Sequence, residues 1–379
     1  MIGVALGTMA LIVVLSVFNG LEEFIRELYG SFDPELKIQS VIGKSFLITD
    51  FPLEKLNHIS GIKEITEVIE ESAYVKYKEA EMVVIVKGVS ASYLKEQRLK
   101  NNIVEGKILL SENGLEYAVL GRGVQFTLNI SSLKEIYPLQ VYYPKRNSSL
   151  LDPLNSVNQE MIMPAGIFAI EKQFDMNYMI TSLEFAEKLF EYRGRRTAVE
   201  IELNNIADSR QIKKQLQDIL GAGYTVLNRD EQHSSLIRVI SFEKLFVFLI
   251  FSFIIAVAAI NIFFSLTMLA IDKRKDIAIL MAMGSGKQIV RNIFYKEGAI
   301  IAFSGASTGL ILGIILCLIQ QKFGLISLGI ETSVIRAYPV KMNITDFLYT
   351  SLTIILITII FSIRPAVLAA KSGIIQYLS

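Results

Sequence analysis

AIDKRKDIAILMAMGSGKQIVRNIFYKEGAIIAFSGASTGLILG, residues 270–313, leaves one long apolar run and climbs into another. Between the two lie a charged cluster (Lys273, Arg274, Lys275, Asp276), a short apolar helix over Ile277 to Met283, a break at Gly284 and a second, amphipathic piece. Gly284-Ser-Gly-Lys287 looks like the end of a phosphate-binding loop, but the spacing is wrong. Such a loop needs Gly, four residues, then Gly-Lys-Ser/Thr. Its first glycine would fall at Met281, and Gln288 stands where a magnesium-binding hydroxyl is required. The stretch therefore connects two membrane crossings and does not itself hold a nucleotide.

Outward from this stretch, the apolar residues gather into four uncharged runs: Ile2 to Phe18, Leu245 to Ile271, Gly298 to Gln321 and Phe347 to Ile363. The composition is 52% hydrophobic and the mean hydropathy +0.44, high for a soluble chain. About 20 mainly apolar residues cross a bilayer as a helix, so the runs are read as four transmembrane helices. The first could also be a signal peptide, but it has no basic n-region and no small-residue cleavage site ahead of Glu22-Glu23. It is read as an uncleaved anchor; the sequence starts inside the apolar run, which leaves open whether residues precede it. The second run is long enough to tilt or to protrude as a stalk.

Lysine and arginine in short loops set the orientation. Lys273, Arg274, Lys275, Lys287, Arg291 and Lys296 lie between the second and third runs, and Arg364 and Lys371 follow the fourth. The loop between the third and fourth has Lys322, Arg336 and Lys341. The loop between the second and third runs and the C-terminal tail are therefore cytoplasmic, and the long segment after the first helix lies outside the cytoplasm. The expected boundaries are a first membrane helix at 1–20, an external domain with helical stalks at 21–241, and a second membrane helix at 242–271. A cytoplasmic loop follows at 272–297, then the third helix at 298–320, an outer loop at 321–345, the fourth helix at 346–364 and a tail at 365–379.

The external segment has ordinary soluble composition and is large enough for its own core. Cys317, in an apolar run, is the one cysteine, so no intrachain disulfide supports the domain. Leu21, Phe24, Ile25 and Leu28 continue a helical face outward to Gly30. Strands are predicted over Leu36–Gln39, Ala73–Tyr77, Val83–Val86, Tyr117–Leu120, Leu139–Tyr143 and Ala198–Leu203. Helices are predicted over Pro52–His58, Ser182–Tyr192 (Ser182 as the cap) and Ser209–Leu220, giving an α+β domain. Pro144–Met163 reads as a polar, turn-rich loop, and Arg229–Lys244 as a helix running into the second membrane helix.

No catalytic constellation stands out. His58 and His233 are far apart, no Cys/His set has zinc spacing, no G-x-S-x-G occurs, and Gly121-Arg122-Gly123 is read as a turn. The membrane runs carry a different signal. Gly305, Gly309 and Gly313 recur every four residues, as do Gly3 and Gly7, and small residues so spaced let helix backbones approach closely. Asn261 and Ser265 share a face of the second helix and need partners in lipid.

Residues 270–313 resemble the FtsX-like permease domain of ABC transporters. "SIRPAVLAAKSGIIQYLS" resembles that family's closing segment. "GVALGTMALIVVLSVFNGLEEF" and "GIFAIEKQFDMNYMITSLEFAEKLF" are similar to the lipoprotein-releasing, Lol-type permeases. The family's cytoplasmic residues ahead of the first helix are absent here. The resemblance implies an α-helical membrane protein with four transmembrane helices, and a large α+β periplasmic domain inserted between helices 1 and 2, in the bacterial inner membrane. It implies a coupling helix, Lys273, Arg274, Lys275, Asp276, Ile277, Ile279, Leu280, Met283 and Gly284, that docks on a separate ATPase subunit. ATP and magnesium belong to that partner, and this chain binds no cofactor and no metal.

The same resemblance implies a second permease subunit, the same or homologous, a periplasmic lipoprotein carrier and a lipoprotein substrate. Val13, Val17, Phe248 and Phe251 are expected to line an acyl-chain cavity between paired subunits. Pro144, Arg146, Leu151 and Pro153 mark a carrier-binding loop. Three other readings share part of this picture. A macrolide-type exporter of small molecules or peptides usually carries a fused ATPase. A cell-division regulator of wall hydrolases usually has a smaller external domain. A membrane-bound enzyme needs catalytic groups that the external domain does not display.

Overall fold

The chain divides into two compact units, residues 26–234 and residues 1–25 with 235–379. The computed structural model describes residues 1–30, 32–95, 99–131, 133, 137–145, 156–327 and 337–371.

Helix α1 (Ile2–Gly30) opens the chain and runs unbroken to Gly30. After it come β1 (Leu36–Ser40), β2 (Phe46–Leu47), α2 (Leu53–Asn57), β3 (Ile62–Tyr77), β4 (Ala80–Val89), β5 (Ile103–Gly106) and β6 (Ser111–Glu112). β7 (Leu115–Gly121), α3 (Arg122–Thr127), β8 (Leu139–Pro144), β9 (Val157–Phe168), α4 (Lys172–Asn177), β10 (Tyr178–Ser182) and α5 (Leu183–Phe190) follow. The unit ends with β11 (Arg195–Arg196), β12 (Ala198–Leu203), α6 (Ser209–Leu220), β13 (Tyr224–Asn228) and α7 (Arg229–Gln232).

Among the described residues the main sheet runs β13-β1-β12-β3-β4-β10-β7-β9-β5, with β8 joining β3 and β9. β10 lies parallel to β4, and β7 parallel to β9; the other pairings are antiparallel. β3 is long enough to hold two partners on one edge. Its first half pairs with β12 (Thr66 opposite Glu200) and its second with β8 (Val75 opposite Val141). Helix α6 lays Ile212, Leu216 and Leu220, spaced by four, on Leu36, Ile38, Val199 and Ile201. Helix α5 begins where expected, with the Ser182 hydroxyl accepting the Phe185 amide at 3.0 Å, and its Leu183, Phe185, Ala186 and Leu189 close over β3, β4 and β8. Lys87 and Glu200 form an ion pair at 2.7 Å inside the sheet, with each side chain at most 2% exposed.

Three readings are corrected here. The polar stretch expected to run to Met163 is strand from Val157 onward, because β9 pairs residue for residue with β8, Pro144 opposite Val157 and Leu139 opposite Ile162. Gly121-Arg122-Gly123 is a strand-to-helix junction and not an isolated turn. A β-carbon on Gly121 would lie 2.3 Å from the Asp175 carbonyl oxygen, so only glycine fits that approach. The helical run from Arg229 is interrupted: Asn228 and Glu231 close a capping box on α7, and His233 (φ −114°, ψ 33°) separates it from the next helix.

The other unit adds α8 (Ser234–Asp272), α9 (Arg274–Ala282), α10 (Lys287–Phe323) and α11 (Ile344–Lys371) to α1. Helices α1, α8, α10 and α11 are each long and apolar enough to cross a membrane. At 39 residues, α8 is about 58 Å long. The amphipathic piece and the third apolar run form one helix, α10, because no proline falls between Lys287 and Phe323. The core joins Val4, Leu11 and Leu15 of α1 to Ile255, Ile262 and Leu266 of α8 and Ile354 of α11.

Candidate coupling site and helix seam

Residues 269–295 fold into an elbow. The Lys273 amide still donates to the Leu269 carbonyl at 2.9 Å, and the Ile277 amide donates to the Lys273 carbonyl at 2.9 Å. The chain therefore turns from α8 into α9 across a single residue. The Lys273 ammonium meets Asp276 Oδ2 at 3.0 Å. Three amides end α9: Met283 donates to Ile279, Gly284 to Met281 and Ser285 to Leu280, each at 3.0 Å. Gly284 has φ +96°, a conformation that favours glycine over any residue with a β-carbon. Gly286 then caps α10, so Lys287 of the apparent phosphate motif is the first residue of a helix.

A small core holds the elbow. Ile277, 4% exposed, packs with Ala270 of α8 and Val290 and Phe294 of α10, with Leu269, Met281 and Tyr295 around it. The other side of α9 is open: Ile279 is 58% and Met283 71% exposed, Leu280 is half-buried, and Lys273, Arg274, Lys275 and Asp276 are exposed. Of the nine residues expected in the coupling helix, Ile277 thus faces inward. The rest form an apolar and basic surface, or shape its ends.

The glycines make two seams against α1. A β-carbon on Gly309 would lie 2.4 Å from the Ala5 carbonyl oxygen and 2.7 Å from Thr8 Cβ; on Gly305 it would lie 3.1 Å from the Met1 carbonyl, and on Gly313 3.2 Å from Ile12. On α1 itself, Gly3 faces Ala258 and Gly7 faces Ile255 of α8 at 3.2 and 2.9 Å. The α10 and α1 glycine rows thus let α10 and α8 approach α1 closely.

Phe248 and Phe251 are half-buried against the α1–α8 core, while Val13 and Val17 are half-buried on α1. A groove in this unit lies elsewhere, between α10 and α11, about 290 Å³ in volume and lined by Ala299, Ala306, Ser307, Ser351, Ile354 and Thr358. Asn261 and Ser265 are exposed on the surface of α8.

In the other unit, Pro144 ends β8 beside a groove of about 450 Å³ formed by Tyr74, Lys76, Glu81, Tyr142, Tyr143 and Val157. A hydrogen bond to the Glu81 carboxylate holds the Tyr74 hydroxyl above the usual phenol range. Arg146, Leu151 and Pro153 lie outside the described residues. Sequence reading missed a polar site here. His233 Nε2 lies 2.5 Å from Asp33 Oδ2, and its ring stacks on Tyr29 at 3.9 Å. Beside it, Arg229 pairs with Glu35 and Arg26 with Asp230, both at 2.9 Å. The partners sit some two hundred residues apart, and no local pattern announces them. Burial pushes the Asp175 carboxyl up to about 6, even though the Ile170 and Glu171 backbone contacts pull it down. Burial, and then the neighbouring Glu70 carboxylate, push the Tyr178 phenol well above its usual range. Among the described residues, no group of three His, Cys, Asp or Glu side chains is placed to hold a metal ion.

Two family models match the chain: the FtsX-like permease C-terminal domain over residues 248–374 and the MacB-like periplasmic core domain over residues 1–130. The C-terminal third of the chain is thus similar to FtsX-like permeases and the N-terminal third to the MacB-like periplasmic core, and the chain is a multi-pass inner-membrane protein with a periplasmic domain. Among its curated relatives are the lipoprotein-releasing system transmembrane protein LolC of Buchnera aphidicola subsp. Schizaphis graminum and LolE of Haemophilus influenzae. The first is 24% identical over 98% of this chain and 90% of its own length. The second is 25% identical over 100% and 92%. The periplasmic region of MacB from Actinobacillus actinomycetemcomitans is similar at 13% identity and a TM-score of 0.36, covering 53% of this chain and 91% of that one.

Proposed function

We propose that this chain is the permease subunit of a lipoprotein-releasing transporter. It turns ATP hydrolysis in a separate subunit into movement of its periplasmic domain, lifts acylated lipoproteins from the outer leaflet and passes them to a periplasmic carrier. The observation that carries this reading is the end-to-end likeness, over 98–100% of the chain, to proteins named for lipoprotein release. The elbow supplies a physical means. Its exposed Ile279 and Met283, with Lys273, Arg274 and Lys275 at the start of the same helix, offer a partner an apolar surface and a basic end. Its inner core ties α9 to α8 and α10, so that a push on α9 is passed to both helices. Asn261 and Ser265, exposed on a helix that crosses hydrocarbon, favour a second permease subunit against α8.

Energetics restricts the route of the cargo. At about 0.8 kcal/mol per buried CH₂, three acyl chains of roughly 15 methylenes would cost on the order of 36 kcal/mol in water. The chains must therefore pass through apolar surroundings, and the proposed cavity near Val13, Val17, Phe248 and Phe251 of paired subunits would provide them. The polar loop containing Pro144, Arg146, Leu151 and Pro153 is the proposed carrier contact. ATP and magnesium would be held by the ATPase alone.

The test is reconstitution with the partner ATPase and a triacylated lipoprotein in proteoliposomes. The expected result is ATP-dependent transfer of the lipoprotein to a soluble carrier. ATP-dependent efflux of a small molecule or peptide without lipoprotein transfer would favour the exporter reading, to which the MacB-like core over residues 1–130 lends its weight.

A further inference from the structure

At the outer end of the membrane unit, three helices and a loop meet on a buried polar node. Asn19 of α1 is 7% exposed and Asp346, in the first turn of α11, 8%. Asn19 Nδ2 donates to Asp346 Oδ2 at 2.6 Å and to the Lys341 carbonyl at 3.3 Å. The Lys244 ammonium of α8 donates to Asn19 Oδ1 at 2.6 Å and lies 3.4 Å from the same Asp346 oxygen. The asparagine thus accepts from the cation with one end of its amide and donates to the anion with the other. The backbone closes around this node: the Lys341 amide donates to the Ser16 carbonyl at 2.9 Å, and Gly20 lies so close to Pro339 that a β-carbon would come within 2.3 Å of its carbonyl oxygen. The Lys341 ammonium also pairs with Glu23.

Elsewhere α8 meets its neighbours through aliphatic and aromatic side chains, Ile255, Ile262, Leu266, Phe248 and Phe251. The hydroxyls of Ser241 and Thr267 turn back to carbonyls of α8 itself, at 2.8 Å. Where apolar contacts between helices part, lipid tails replace them. A charge pair at the edge of hydrocarbon has no such replacement, since each parted charge needs a new partner or water. Such a node has two discrete states, joined and parted.

We propose that Lys244, Asn19 and Asp346 form a lock that holds α8 closed on α1 and α11 in the resting permease, and that ATP-driven movement of α8 must part it. This rests on the ABC-permease reading and goes beyond it by naming the contact that sets the closed state. The lock is tested in the complex with its ATPase in nanodiscs. A Lys244→Cys/Asp346→Cys pair on a Cys317→Ser background, bridged by a short bismaleimide, is expected to lower ATP turnover about fivefold or more, against a control capped with a monomaleimide. Asp346→Asn keeps the hydrogen bond to Asn19 but drops the charge, and is expected to raise cargo-free ATP turnover about fivefold. Bridged complex that turns over like the control, or Asp346→Asn that behaves as wild type, overturns the lock.

The exchange Lys244→Asp with Asp346→Lys reads the same contact on the chain itself, because Asn19 can meet the reversed polarity by rotating its amide, at the loss of its bond to the Lys341 carbonyl. The double variant is expected to regain part of the melting temperature that either single variant loses. A double variant no more stable than the worse single one also overturns the lock. Failure of the ATPase to co-purify with the unmodified chain would count against the ABC reading instead, and the exchange in melting temperature still reads the lock.

Discussion

The sharpest structural expectation concerns Gly309. Even a lone β-carbon there would sit 2.4 Å from the Ala5 carbonyl oxygen and 2.7 Å from Thr8 Cβ, where ordinary contact begins near 3.4 Å. Both neighbours belong to α1, and a backbone oxygen has no rotamer by which to move aside. Gly309→Val must therefore push α10 and α1 apart by about 1 Å or bend one of them. Overpacking of this kind costs about 1–3 kcal/mol, and two backbone-adjacent clashes place Gly309→Val near the top of that range. Valine returns about 0.5 kcal/mol through its better helix propensity. A net loss of about 2 kcal/mol shifts the folded-to-unfolded ratio by roughly thirtyfold. The assay is thermal or denaturant unfolding of the purified chain in detergent. The reference is Ile311→Val on the same helix, 57% exposed, where a change within about 0.5 kcal/mol is expected. If Gly309→Val and Ile311→Val unfold together, the seam is not close-packed and the argument from Ala5 fails.

Three further outcomes follow from the same geometry. Lys87→Met removes the ammonium paired with the buried Glu200 and is expected to cost about 3–5 kcal/mol, while Lys87→Met with Glu200→Leu recovers most of that loss; chemical denaturation checks both. The Asp175 carboxyl is held up to about 6 by burial, against 3.8 for a free aspartate, so the folded domain binds the proton more tightly than the unfolded chain does. The stability this proton gives is full below about pH 3.8 and is lost as pH rises through about 6; Asp175→Asn should flatten melting temperature across that window, and an unchanged slope would show that another group sets it. Gly284→Val forces φ +96° on a β-branched residue, at about 1–3 kcal/mol, and is expected to weaken co-purification of the ATPase while membrane insertion persists.

Hydropathy and charge made the membrane unit readable, because a crossing helix needs a long uncharged run and its loops must carry the basic residues. The elbow was readable for a similar local reason: Lys273 to Asp276, an apolar turn and Gly284 lie within a dozen residues. The periplasmic unit was harder. Val157–Met163 was read as the end of a loop because it opens with the polar run Val-Asn-Gln-Glu, yet pairing with β8 makes it strand. Register with a distant partner decides such a segment, and one sequence does not display it. Arg122–Thr127 was missed because one short turn of helix gives no periodicity. The Asn19–Lys244–Asp346 node and the Asp33–His233 pair were invisible for the same cause. Each joins residues hundreds of positions apart, and the single charges involved looked like ordinary flanks of helices.

In the proposed cycle, energy enters at the α9 elbow on one face of the membrane and residues 26–234 do work on the other. Single cysteines at Met283→Cys and Ile42→Cys, 71% and 86% exposed at the native side chains, on a Cys317→Ser background, test this with a membrane-impermeant maleimide. The expected result is labelling of Ile42→Cys from the periplasmic side of intact cells and of Met283→Cys only in inverted vesicles. Labelling of both from the same side would contradict it.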